Sequence, residues 1–268
     1  MEPSISVCVG NEGLYAEGFL VDEWIDLPVT NERLQEFLYE KIRIGQPNGC
    51  GSVYEEHYVS DFDGHPFGKN CQNLLENASL YDLNLLAKQM QIHPNACNIV
   101  RAALDTGCDT PESLNGLMNW IEQAGEIPFC AYNYSGIDVK DQWGETTLER
   151  LSANASYGYT LLENYDTDLL ETLNAIPEAL AAFDVEAYGE ACAMNRNVKL
   201  GEKGYLDFEL DDMPDENYYS SAALKEMIES EWDKKFGLGK GIGNIVEQGL
   251  EAFRKYEPAV AEDKGMER

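Results

Sequence analysis

Carboxylates are the reactive groups this sequence supplies in quantity: 49 Asp and Glu against 19 Lys and Arg in 268 residues, for a net charge of −30 at pH 7. Three kinds of chemistry suit them: acid–base catalysis by a pair, cation binding, and electrostatic imitation of another polyanion. A glycosidase-type pair is available many times over, and among so many acids no pair stands out. Asp61-Phe62-Asp63-Gly64 opens like a calcium loop, which needs acids or amides at positions 1, 3 and 5, Gly at 6 and Glu at 12. The glycine comes two residues early, so that pattern fails. His57, His65 and His93 are widely scattered, with no Ser or Cys nucleophile motif beside any of them, and read as surface or loop residues. The seven cysteines, at 8, 50, 71, 97, 108, 130 and 192, contain no CxxC and fit no zinc or iron–sulfur spacing. Free thiols in a reducing cytoplasm are the expectation, with no cofactor and no metal. Gly237 to Asn244, GLGKGIGN, lacks the GxxxxGK[ST] order and a strand–helix setting, and reads as a flexible joint.

The acid excess excludes a phosphate-neutralising DNA binder and a binder of anionic membranes. It is also regional. Residues 1–63 carry a net −10, 64–125 only −3, 126–210 −11 and 211–268 −6. A hydrophobic content of 44% supports a buried core. The start, MEPSISVCVG, has no basic n-region, and no 18-residue apolar run occurs, so neither a signal peptide nor a membrane span is expected.

The elements that carry the acid follow from periodicity. Ile5 to Val9 predicts a strand, followed by a turn through Gly10, Asn11 and Gly13. From Gly18, Phe19, Val21, Ile25 and Leu27 alternate against Asp22 and Asp26, as on a strand. Thr30 can cap a helix whose stripe is Leu34, Phe37, Leu38 and Ile42, with Glu32, Glu36 and Glu40 opposite, in steps of roughly 6 Å. Val53 to Phe62 predicts a third strand, giving β-β-α-β, a three-stranded antiparallel sheet with one helix. Residues 64–125 predict a helical module, with Ser79 and Asp82 as a capping box, Pro94 at a helix start and Thr110–Pro111 opening a third helix. Residues 126–210 predict a mixed section: a strand at Ile127 to Tyr134, a polar stretch, helix from about Thr146, and a hairpin at Val198 to Leu210. Residues 211–268 predict a helical extension using Leu224, Met227, Ile228, Trp232 and Phe236, then a flexible tail. The fold class expected is α+β, as an elongated modular chain of four such units.

Duplex DNA carries one charge per roughly 1.7 Å of axis, so thirty excess negatives match about 50 Å of duplex, or around 15 base pairs. Laid along a slender body, such acid can occupy a cleft lined with Lys and Arg for DNA. The candidate stand-ins for phosphates are Asp22, Asp26, Glu32, Glu36, Glu40, Glu55, Glu56, Asp61 and Asp63, with Asp138, Asp141, Glu145, Glu149, Glu163, Asp166, Asp168, Glu171, Asp184 and Glu186. A spread field predicts graded loss on substitution, with no essential residue.

Several segments, in order, resemble the ArdA antirestriction family. They are Val7 to Tyr15, then Gly18 with Trp24-Ile25-Asp26-Leu27, then Glu55-Glu56 with Asp61-Phe62-Asp63-Gly64-His65-Pro66. Leu80 with Leu83-Asn84 follows, then Ile176-Pro177-Glu178-Ala179-Leu180 with Phe183-Asp184 and Glu186-Ala187-Tyr188-Gly189, then Gly204-Tyr205-Leu206-Asp207-Phe208. The resemblance implies an elongated protein of three small domains, a homodimer through the third, with no catalytic residues and no direct nucleic-acid binding. It implies a mimic of B-form DNA that occupies the groove of type I restriction–modification enzymes (the methyltransferase core) and protects mobile DNA. The stretch 126–165 is longer than the family pattern, and 211–268 extends past it. Two rival readings are a carboxylate-pair hydrolase, in which one substitution abolishes activity, and an acidic scaffold, which does not compete with DNA.

Overall fold

The computed structural model describes residues 5–64, 66–134, 136–140 and 146–236. The architecture is α+β, with two three-stranded antiparallel sheets, a two-stranded ribbon and eleven α-helices among the described residues.

Strand β1 (Ile5–Asn11) is the middle of the first sheet, whose order is β2-β1-β3. Its alternation puts Ile5, Val7 and Val9 in the core and Ser6, Cys8 and Gly10 on the opposite face. A short helix, α1 (Glu12–Ala16), follows where a simple turn was expected, because Asn11 is a cap. Its Oδ1 accepts from the Leu14 N–H at 2.9 Å, while its Nδ2 donates to the Ile42 carbonyl at 2.7 Å. One buried side chain thus fixes both α1 and the chain beyond the next helix. Gly18, at φ +88°, turns the chain out of α1, and the Phe19 N–H donates back to the Leu14 carbonyl at 2.9 Å. That turn delays β2 (Asp22–Leu27) past the expected start at Gly18, and leaves Phe19 on the surface instead of in the core.

Thr30 caps α2 (Asn31–Glu40), its Oγ1 accepting from the Arg33 N–H at 3.2 Å. Leu34, Phe37 and Leu38, with Ile42 just beyond, bury against the sheet, each contributing roughly 1.5–3 kcal/mol. The third strand, β3 (His57–Asp63), begins later than Val53. Tyr54 is engaged elsewhere: its N–H donates to the Gln46 carbonyl at 3.1 Å and its carbonyl accepts from the Gly45 N–H at 2.7 Å.

The helical section contains α3 (Gln72–Glu76), α4 (Leu80–Ile92), α5 (Pro94–Leu104) and α6 (Leu114–Glu122). Ser79 caps α4 as expected, accepting from the Asp82 N–H at 3.2 Å and donating to its carboxylate at 2.7 Å. Helix α6 starts after Ser113, not at Thr110, because Ser113 Oγ caps the Gly116 N–H at 3.0 Å.

Next come β4 (Phe129–Ala131), β5 (Gly136–Lys140) and β6 (Thr146–Arg150). The last two form an antiparallel hairpin where a polar connection and the start of a helix were expected. Thr146 and Thr147 are β-branched, which favours the extended pairing over helix. Helices α7 (Ala153–Asn164), α8 (Thr167–Ala175), α9 (Pro177–Ala182) and α10 (Val185–Asn195) follow, then β7 (Val198–Leu200) and β8 (Gly204–Asp207). The second sheet runs β4-β8-β7, and α11 (Ser221–Lys235) closes the described chain. The Gly237–Asn244 segment and the expected terminal helix and tail lie outside the described residues.

Two cores result. Tyr157, Leu161 and Tyr205 centre a small one between α7, α10 and the second sheet. The larger runs from Ile5 through the helical section to Ile127 and includes Leu224, Ile228 and Trp232 of α11. Helix α11 is therefore built into that core. Met227, expected in that stripe, is 38% exposed at its edge. Asn119 holds the approach to α11, donating to the Glu216 and Tyr219 carbonyls at 2.8 and 3.0 Å and accepting from the Tyr219 N–H at 2.8 Å. Lys88 of α4, 2% exposed, places its ammonium 5.0 Å from the Trp232 ring centroid and 3.4 Å from Asn31 Oδ1.

All seven cysteines are free. Burial pushes the Cys71 thiol up to about 11 and Cys97 up to about 12 from an ordinary value of 9.0. Each folded-state value lies above the unfolded one, so this stability is complete below pH 9 and is lost as pH rises toward the folded value. Equilibrium denaturant unfolding from pH 7 to 11 under reducing conditions is expected to show an alkaline decline. Cys97→Ala is expected to reduce its slope by up to about 1.4 kcal/mol per pH unit. An unchanged slope would remove this explanation.

Candidate functional site

Acid and ring side chains meet on the outer face of the first sheet. Its cross-strand rows are Asp26–Ser6–Asp63, Trp24–Cys8–Asp61 and Asp22–Gly10–Tyr58. Two outer columns therefore flank a central column of small residues, about 10 Å apart at two strand spacings, with steps of about 6.8 Å along each strand. A bulge between Cys8 and Val9 shifts the β3 register, so that Tyr58, Asp61 and Asp63 all fall on this face.

Small residues in the centre let the flanking groups lean together. A Cβ on Gly10 would lie 2.3 Å from Asp22 Oδ1 and 2.4 Å from the Tyr58 ring. In the space it leaves, the Tyr58 hydroxyl donates to Asp22 Oδ1 at 3.3 Å. At the far row Ser6 Oγ donates to Asp26 Oδ1 at 2.6 Å. Burial and the neighbouring Asp22 charge raise the Tyr58 phenol above its ordinary value, so it stays a donor. The Glu17 carboxylate accepts from the Tyr54 hydroxyl at 2.9 Å, extending the acid edge beyond the sheet.

On the other side of this unit, α2 turns its stripe into the core and presents Glu32, Glu36 and Glu40 to solvent. Both outer layers are acidic, as the alternation and the four-residue spacing predict. Glu55 and Glu56 are exposed ahead of β3. The Arg33 guanidinium pairs with Glu36, so one rung of the ladder is partly neutralised.

The later acids are less uniform. Asp138, Glu149, Asp168, Glu171, Asp184 and Glu186 are exposed, Glu163 and Asp166 are half-buried, and Asp141 and Glu145 lie outside the described residues. Asp138 and Glu149 belong to adjacent cross-strand pairs of the ribbon, hence to opposite faces. Asp166 accepts from the Tyr188 hydroxyl, Asp184 caps α10 through the Ala187 N–H at 2.9 Å, and Glu163 accepts from Asn133 Nδ2 at 3.0 Å. Part of the acid here is thus committed to holding the fold.

Sequence alternation puts Tyr54, Tyr58 and Phe62 on one face of the third strand. Instead the strand starts after Tyr54, and the bulge turns Tyr58 to the outer face while Phe62 pairs with Val7 on the core side. Sequence reasoning did not set Trp24 and Tyr58 together among the acids, and it missed His93. That imidazole sits 3.7 Å from Glu122 and 3.8 Å from Glu231, joining the ends of α4, α6 and α11. Alternation of Ser6, Cys8 and Gly10 against Ile5, Val7 and Val9 was the available signal for the small central column. Among the described residues no group of three or more His, Cys, Asp or Glu side chains could hold a metal ion. No helix there is long and apolar enough to cross a membrane. The arrangement offers an extended anionic surface with embedded rings.

The model of one protein family, described as antirestriction protein (ArdA), matches residues 7–207. No curated protein matches the chain.

Proposed function

The chain belongs to the antirestriction protein (ArdA) family, whose members act against restriction–modification enzymes, and from that premise we propose that it works as a mimic of B-form DNA. Its partner is the methyltransferase core of a type I enzyme, whose DNA groove it occupies in the cytoplasm, protecting incoming mobile DNA. It does this as a binding protein, without catalysis. The observation that carries the reading is the pair of carboxylate columns on the first sheet, backed by the Glu32–Glu36–Glu40 ladder on the opposite layer. A cleft that wraps a duplex meets charge on more than one side, and this unit offers it on two. The acid of 126–210, net −11, continues the path beyond the nearly neutral 64–125, and a homodimer through that third unit doubles its length.

Affinity of this kind comes from pairing carboxylates with Lys and Arg and releasing counterions, so it depends steeply on salt. The test mixes the purified chain with a type I methyltransferase core and labelled target DNA at several salt concentrations. Displacement of DNA at low salt, weakening tenfold or more on moving from 50 to 200 mM, is expected. Failure to displace DNA at the lowest salt would overturn the reading.

A further inference from the structure

Rings are set among the carboxylates of the first sheet's outer face, and charge imitation does not account for them. Trp24 stands between Asp22 and Asp26 along β2, in the row of Cys8 and Asp61, and is 51% exposed. Tyr58 completes the next row through its bond to Asp22, and Tyr15, 58% exposed, meets the Tyr58 ring edge-on at 6.2 Å. Phe19 and Leu20, 61% and 77% exposed, lie in the turn that leads into that strand. Single exposed apolar side chains are ordinary. Three rings, Trp24, Tyr58 and Tyr15, set among Asp22, Asp26, Asp61 and Asp63 mark a contact surface.

We propose that Trp24 is the apolar anchor of this face, a ring offered between carboxylates as a flipped-out base is offered beside its phosphates. Its seat is a ring-stacking or base-contacting patch inside the partner's basic DNA groove. The inference rests on the proposed function for the identity of the partner. Charge complementarity selects that occupant: the surrounding unit, residues 1–63, carries a net −10, which opposes packing against a second copy of itself. Enzymes that do chemistry on a duplex base take it out of the stack into a pocket lined by aromatic and apolar side chains, beside a basic groove that tracks the backbone. Such a surface also suits an indole. An anchor of this kind adds affinity that salt does not screen, which carboxylates alone do not supply.

The test measures binding of the full chain and its variants to the methyltransferase core across a salt series. Trp24→Ala is expected to weaken binding about tenfold at every salt concentration, leaving the slope of log affinity against log salt unchanged, and Trp24→Phe to restore most of it. Asp22→Asn with Asp26→Asn is expected to lower that slope instead. Sedimentation and thermal melting of Trp24→Ala should match the unsubstituted chain. Binding by Trp24→Ala within twofold of the unsubstituted chain throughout would overturn the anchor while leaving the proposed function standing. A change of slope like that of the Asp variant would also overturn it, as would a change of oligomeric state, which would make the face a contact between copies. Absence of binding by the unsubstituted chain would remove the proposed function itself, and this partner with it.

Discussion

Replacing Asp22, Asp26, Asp61, Asp63, Glu32 and Glu36 together by their amides is expected to weaken binding to a type I methyltransferase core by about two to three orders of magnitude at low salt. An exposed ion pair contributes roughly 0.2–1 kcal/mol, so six lost pairs amount to about 1–6 kcal/mol, centred near 3.5. The salt slope should fall by about five, from roughly 0.9 per charge. Each single replacement should cost no more than about fivefold, because neighbouring carboxylates keep most of the field. All six are exposed, and removing like charges lowers self-repulsion, so the unfolding midpoint should hold or rise. Titration of each variant against the core at several salt concentrations checks this. One amide that alone abolished binding would favour a single essential carboxylate and sink the spread-field account.

The largest effect on stability is expected at Gly189, where α10 crosses α7. A Cβ there would lie 2.0 Å from the Asn154 carbonyl oxygen and 2.8 Å from the Gly158 nitrogen. Both obstacles are helix backbone, which cannot rotate aside. Gly158 meets α10 in the same way, its added Cβ falling 2.4 Å from the Val185 carbonyl oxygen. Two effects oppose each other in Gly189→Ala. Intrinsic helix propensity favours alanine by about 1 kcal/mol. Separating the helices opens the core of Tyr157, Leu161 and Tyr205 and costs about 3–4 kcal/mol. The clash wins, and a net loss of about 2–3 kcal/mol is expected. Hydrogen exchange should show it in α7 and α10 while α4 and α5 keep their protection. Glu190→Ala, on the exposed side of α10, serves as the control and should stay within about 0.5 kcal/mol. A Gly189→Ala protein as stable as the parent would show that the crossing has slack.

Periodicity and caps carry most of residues 1–63 and the helix starts of 64–125. Thr30, Ser79 and Pro94 begin helices as read, and Leu34, Phe37, Leu38, Ile25 and Leu27 are buried as read. Those features are local, with the signal and the structure lying within a few residues of each other. The errors came from contacts between distant residues. Asn11 looked like a turn residue, and its second bond, to Ile42, is invisible to any short window. Tyr54 reads as strand in any short window, yet its backbone partners are Gly45 and Gln46. The β5–β6 hairpin resembles a polar linker because neither face of a two-stranded ribbon need be apolar. For the candidate site, each acid could be seen, but which acids share a face with Trp24 depends on the β1 register and its bulge.

Helix α11 carries one consequence further. The family match ends at residue 207, yet Trp232 roofs Lys88, and Leu224 and Ile228 complete the apolar floor beneath it. Cutting where the match ends would leave a cation facing water without its ring, and would remove the Glu216 and Tyr219 carbonyls that Asn119 donates to. The end of the family match is therefore not where the fold can be cut. Any graft or truncation of this protein must carry its last described helix along with its middle.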